Sequence, residues 1–361
     1  MVNIDMWLHT LRPNILRFLS KLRHPECPGF YSYSLSGDIF DPRATRWGLG
    51  NTVFAAKIYY MLDAIKDIKD SRDMADFTMS FQNESGEIYD PLIERQSHFR
   101  RLLHSLKSFD FNNISNHQTR RAETRQAFAA LMSLNEKPLR PYELIPGTKE
   151  DIREYILGLD WKKPWSASSH ISHLIFFLRN NFKPKNQDAA EELIDYVLSV
   201  VEGFRQKDGT WYMPGGAISL EEKINGAMKI MLAYDTAKKD FSEPEKLIDL
   251  LLLSLNNRHA CDNFNIVCVA YYCSIKTDYK KGQIKDFCIE RLNSYRQYYW
   301  PEYGGFSFNK GFANKIYYGA TITKGLPEPD IHGTMLYLWG IVLISRILKL
   351  NNELNFKAPI T

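Results

Sequence analysis

Two kinds of apolar segment alternate along the chain. Segments 51–62, 125–134, 170–178, 225–234, 265–273 and 334–347 are rich in alanine and aromatic residues and apolar on almost every face. A helix of that composition is buried on most sides. Between them, segments 7–22, 92–106, 149–157, 189–204, 244–255 and 284–298 carry apolar residues at spacings of three and four, with charge at the other positions. That periodicity predicts helices with one wet face. Buried helices alternating one for one with amphipathic ones suit an inner ring enclosed by an outer ring. The predicted fold is all-α, an (α/α)6 toroid occupying 1–361 as a single domain, with an open helical array as the competing arrangement. Inner helices are expected to begin near Asn51, Gln126, His170, Asn225, Asn265 and His332. β-Structure is expected only within 311–329, as a short hairpin strand between Tyr317 and Thr323.

A repeat supports this hairpin periodicity. Ser36-Gly37-Asp38-Ile39-Phe40-Asp41-Pro42 is echoed by Ser85-Gly86-Glu87-Ile88-Tyr89-Asp90-Pro91, with the same residue classes in the same order. Gln206-Lys207-Asp208-Gly209-Thr210-Trp211 and Tyr303-Gly304-Gly305-Phe306-Ser307-Phe308 have a related form. In each, a glycine permits a tight turn with positive φ, and the aromatic after it is expected to fold back onto the neighbouring helix.

The turn Gln206-Lys207-Asp208-Gly209-Thr210-Trp211 resembles the QW repeat of squalene cyclases, with one residue fewer before the aspartate. The block Tyr303 to Phe308, followed by Asp330-Ile331-His332-Gly333-Thr334, resembles the Gly-Gly-Phe turn and inner helix of prenyltransferase β-subunits and oxidosqualene cyclases. The resemblance covers the repeat architecture along most of the chain and implies a toroid with a central, aromatic-lined cavity for an isoprenoid. Two departures accompany it. The positions where cyclases carry their protonating aspartate hold Phe264, in Asp262-Asn263-Phe264-Asn265, and His332. Aligning Thr334 with the prenyltransferase threonine puts Gly333 on the zinc-ligand position, so that family's zinc site does not carry over.

Charge and composition exclude several classes. The balance of 46 basic against 42 acidic residues gives a net charge of +4 with no long block of one sign, so nucleic acid is not an expected partner. No stretch reaches the ~20 apolar residues of a spanning helix, and the first residues do not read as an export signal. The five cysteines, Cys27, Cys261, Cys268, Cys273 and Cys288, have no metal-binding or scaffold spacing, and reduced thiols and a cytoplasmic location are expected.

Candidate chemistry gathers at the starts of the predicted inner helices, where free N–H groups and the helix dipole favour anions. His332 and Asp330 are expected to supply acid–base chemistry, and His170 and His173, at i and i+3 on one helix face, are placed either to share a metal or to work as an acid–base pair. Arg46, Asn51, Arg120, Glu222, Asn225, Asp262, Asn265, Trp165 and Trp339 are candidate substrate-binding residues. Asp262, Asp330 and Ser168 also read as helix caps, and Trp211 as a seal between hairpins. Glu221 and Glu222 are adjacent and so point about 100° apart, which rules out a simple dyad. No metal site and no cofactor is identified. The expected ligand is a small-molecule or lipid-like substrate. A carbohydrate-active toroid enzyme is the second reading, and a non-catalytic toroid that binds a partner protein is the third.

Overall fold

The computed structural model describes residues 6–37, 48–68, 71–94, 117–181 and 187–360. The described chain is predominantly helical: α1 (Met6–Leu22), α2 (Leu49–Met61), α3 (Ser71–Met79), α4 (His117–Ser133), α5 (Lys149–Leu157), α6 (Pro164–Asn181), α7 (Gln187–Glu202), α8 (Leu220–Ala237), α9 (Pro244–Leu252), α10 (Ala260–Ser274), α11 (Lys281–Arg296), α12 (Ile331–Ile347) and the short α13 (Asn351–Leu354). Two small antiparallel pairs, β1 (Tyr299–Trp300) with β2 (Gly305–Phe306) and β3 (Ile316–Tyr317) with β4 (Ala320–Thr321), precede α12. A hairpin is present within 311–329, beginning at Ile316 rather than Tyr317, but the β1–β2 pair lies outside the region to which the sequence confined β-structure, because two-residue strands flanking a glycine turn carry no alternating pattern of their own. No described helix is long and apolar enough to cross a membrane.

The helix starts expected near Asn51 and His332 are found at Leu49 and Ile331, whereas four others lie upstream: His117 rather than Gln126, Pro164 rather than His170, Leu220 rather than Asn225, and Ala260 rather than Asn265. The physical reason is that these first turns are polar and invisible to an apolar-periodicity search. Ser219 accepts the Glu222 N–H, so α8 begins with a conventional cap. Ser168, expected as a cap, lies inside α6 as a consequence, with its hydroxyl buried and unpartnered. Helix α3 has no counterpart among the predicted segments, because its nine residues bury only Met74, Ala75, Thr78 and Met79. The amphipathic segment 92–106 lies outside the described residues from 95 onward.

A single turn geometry recurs between amphipathic and buried helices. Gly29, Gly86, Gly209 and Gly304 have φ of 78°, 81°, 84° and 88°, a region that side-chain-bearing residues rarely adopt. Two residues after each glycine, Tyr31, Ile88, Trp211 and Phe306 pair back in bridge geometry with Arg23, Gln82, Arg205 and Tyr299. Trp211 is 1% exposed, and its indole N–H donates to Glu202 at 3.1 Å, which makes it the expected hairpin seal. The Gly29 turn was missed as a member of this set because its flanking residues, Pro28 and Phe30, do not match the others.

Contacts divide the chain into two compact units. In the first, Met1–Arg140, His259–Cys261 and Leu292–Ile360, α2 packs between α12 and α4, with α3 against α2 and α4. Every residue from Ile331 to Ser345 of α12 is buried, and so is every residue of α2 except Tyr60. In the second, essentially Pro141–Arg258 with Asp262–Arg291, α6 packs extensively on α8 and also on α7, α5 packs on α7, and α9 on α8.

Candidate functional site

The start of α12 is built around Asp330. Its backbone is extended (φ −132°, ψ 159°), so the chain turns sharply into the helix and the carboxylate folds back as the N-cap. One oxygen accepts the Gly333 N–H at 2.7 Å, and the other accepts the N–H groups of Phe308 at 2.7 Å and Asn314 at 3.0 Å. Asp330 thereby ties the 305–314 loop to the helix. Thr334 adds a second tie, its hydroxyl oxygen accepting the Phe306 N–H at 2.9 Å. Gly333 is required at this joint, since a Cβ there would stand 2.4 Å from the Phe308 nitrogen. Burial pushes the Asp330 carboxyl up to about 7, against the downward pull of the backbone N–H groups.

This joint fixes His332, the second residue of α12, among aromatic rings. Its imidazole stacks on Phe54 of α2 (centroids 4.5 Å apart, planes 5° apart) and lies 4.8 Å from Phe308. Tyr317 of β3 meets it edge-on at 5.3 Å. The ring is 8% exposed, and its Nδ1 is buried with no hydrogen-bond partner. Burial first, then the neighbouring His259 and Lys57, depress its pKa to about 3. At neutral pH His332 is therefore an uncharged ring offering an unused polar nitrogen inside an aromatic cluster. A buried polar atom without a hydrogen bond is uncommon in a folded core.

The wall continues through Tyr318, whose ring is tilted by 53° against Tyr317 with centroids 4.2 Å apart. Tyr318 (φ 46°) and Gly319 (φ 81°) are both left-handed, as a two-residue hairpin turn requires. Burial raises both tyrosine hydroxyls, with further upward pressure from Glu123 of α4. Glu123 and Arg125 are each 4% exposed, and Lys57, 1% exposed, donates from Nζ to Gln126 Oε1.

The other predicted residues have mixed placements. Asn51 is buried and donates from Nδ2 to the Tyr31 carbonyl at 2.9 Å, anchoring the Gly29 turn. Arg120 is held against Glu87 at 3.4 Å and lies over the Tyr89 ring. Trp339 is buried along α12. Arg46 lies outside the described residues. His170, in the second unit, shares a 2.8 Å hydrogen bond with the Tyr155 hydroxyl of α5, while His173 is half-buried. No group of three His, Cys, Asp or Glu able to hold a metal occurs among the described residues.

Three predicted residues of the second unit do meet. Asn225 Nδ2 donates to Asp262 Oδ1 at 3.2 Å, and Asn225 Oδ1 accepts from Asn265 at 2.9 Å and from Asn256 at 3.1 Å. Arg258 Nε donates to Asp262 Oδ2 at 3.1 Å and its guanidinium also contacts Glu221, whose carboxyl is raised by burial and by Asp262. Asp262 thus braces loop and helix from inside the first turn instead of capping α10. Asn256 and Arg258 were missed because both sit in a connection with no repeat signal. Trp165 and Glu222 also meet: Glu222 accepts the Trp165 N–H at 3.1 Å, and both line a groove of about 590 Å³ with Lys162, Lys163, Ser169 and Ser219.

Compared with protein families, curated proteins and solved structures, the chain matches none.

Proposed function

We propose that the chain is an (α/α)6 toroid enzyme, resembling prenyltransferase β-subunits and squalene cyclases, that acts on an isoprenoid or similarly amphipathic substrate at the His332 cluster. The carrying observation is the orphan Nδ1 of His332 within a cluster formed by Phe54, Phe308 and Tyr317. Aromatic faces hold apolar chains and attract positive charge, and a neutral imidazole beside them accepts a proton from a cationic intermediate or hydrogen-bonds a substrate hydroxyl. His332 is the acid–base group in this reading. Asp330, whose oxygens are engaged by backbone N–H groups, positions it. Within the first unit, α12 packs on α2 and the Gly304 turn lies against Asn14 of α1, which brings the last buried helix of the chain against the first.

The test is ligand retention and turnover. A toroid acting on isoprenoids should carry or take up an apolar ligand, with His332→Phe removing turnover while the melting temperature stays within a few degrees. Loss of stability with activity per folded molecule preserved would make His332 a structural group.

A carbohydrate reading is favoured by one observation, the groove that sets Trp165 beside Glu222 with lysines and serines around it. It predicts that Trp165→Ala abolishes binding of a sugar ligand and that His332→Phe leaves it unchanged.

A further inference from the structure

The loop between β2 and α12 exposes three large apolar side chains. Phe312, Ile316 and Leu326 are 53%, 48% and 40% exposed, although burial of such side chains is strongly favourable. Lys310, Lys315 and Lys324 are interleaved with them, all exposed and with no ion pair to a described residue. Glu328 is the sole acidic residue from 303 to 329, and it is buried, accepting from the Ser34 hydroxyl at 2.8 Å and the Ser36 N–H at 2.9 Å. The two limbs of the loop run side by side. The Ala313 N–H donates to the Leu326 carbonyl at 3.0 Å, the Ile322 N–H to the Lys315 carbonyl at 3.0 Å, and the Lys315 Cβ lies against Gly325.

We propose that this loop docks on an anionic lipid surface, its three apolar side chains entering the headgroup boundary and its three lysines meeting the lipid phosphates. Three exposed apolar groups among lysines that form no ion pair with a described residue, in a stretch whose one carboxylate is buried, are complementary to that surface. Ile316 is exposed and the next residue, Tyr317, meets His332 edge-on at 5.3 Å, so the docked face begins one residue from the aromatic cluster. The docking does not depend on the reading of the His332 cluster given above.

Sedimentation with vesicles tests it. The intact protein should pellet with phosphatidylcholine vesicles containing about one-third phosphatidylserine, should bind pure phosphatidylcholine far more weakly, and should be released by raised salt. Each lysine near such a surface strengthens binding about fivefold, so K310E/K315E/K324E should lose at least a hundredfold. F312S/I316S/L326S should lose binding as well, and both variants should keep the native circular dichroism spectrum. No pelleting of the intact protein, or binding unchanged in both folded variants, overturns the proposal. Dimerisation lost in the same variants, without vesicle binding, reassigns the face to a second copy of the chain. His332→Phe should bind vesicles like the intact protein, so failure of the substrate reading leaves this result standing and remains distinguishable from it.

Discussion

His332 and Asp330 tilt the stability of the protein with pH in opposite directions. His332 has a folded pKa of about 3 against an ordinary value near 6.5, so the unfolded chain binds its proton first. Its contribution is fully present above about 6.5 and is lost as pH falls toward 3. Asp330 is raised to about 7, so its contribution is present below its ordinary value of 3.8 and is lost as pH rises toward 7. The two are separable by substitution. Relative to the intact protein, His332→Phe should gain stability steadily as pH falls from 7 to 4, by up to about 1.4 kcal/mol per pH unit, read from urea unfolding at each pH. Parallel pH profiles would show that the ring is charged or hydrated in the fold. Asp330→Ala should cost more than the ~1 kcal/mol of an ordinary cap, about 3 kcal/mol or more, because three N–H acceptor contacts vanish from a buried joint. The thiols behave by the same logic. Burial raises Cys268, Cys273 and Cys288, the last to about 12, so these should resist a thiol reagent in the native protein while Cys27 and Cys261 react. Rapid native labelling of all five would contradict the burial described here.

At the scale of elements, the recurring turn is the strongest regularity. A glycine at φ near 80° is followed two residues later by a bridging side chain, so Gly86→Ala and Gly209→Ala should each destabilise by about 1–2 kcal/mol through backbone strain alone. Equal melting temperatures for these variants and the parent would mean that the turns relax freely. The turns at Gly86, Gly209 and Gly304 were legible in the sequence from their related glycine-centred forms, whereas that at Gly29 was not; the three-and-four spacing likewise marked Lys149–Leu157, and Pro244 marked the start of α9. The starts of α8 and α10 were not legible, because Glu221, Glu222 and Asp262 belong to first turns held by polar contacts from other segments. A polar first turn carries no apolar period, and its partners lie tens of residues away. The same distance hid the aromatic cluster. Asp330 and His332 stood out beside the Gly304-Gly305-Phe306 turn, yet nothing in the local sequence signals that Phe54 stacks on the imidazole.

For the whole molecule, the account joins an alternating helical chain, whose last buried helix packs on its first, to one aromatic cluster around an unpartnered imidazole nitrogen. The fold class was legible because alternation of wet and buried helices is a property of the entire sequence. The substrate was not, because the groups that would contact it come from α2, β3, the 305–314 loop and α12 at once. The central claim is that this cluster receives an apolar ligand against His332. Native mass spectrometry of the freshly purified chain, alongside His332→Phe prepared identically, tests it most directly. The account predicts a retained or added isoprenoid-class ligand on the intact protein, in one-to-one stoichiometry, that is lost or sharply reduced in the folded variant. An intact protein that binds no such ligand under any loading, or a variant that retains it equally, would contradict the account.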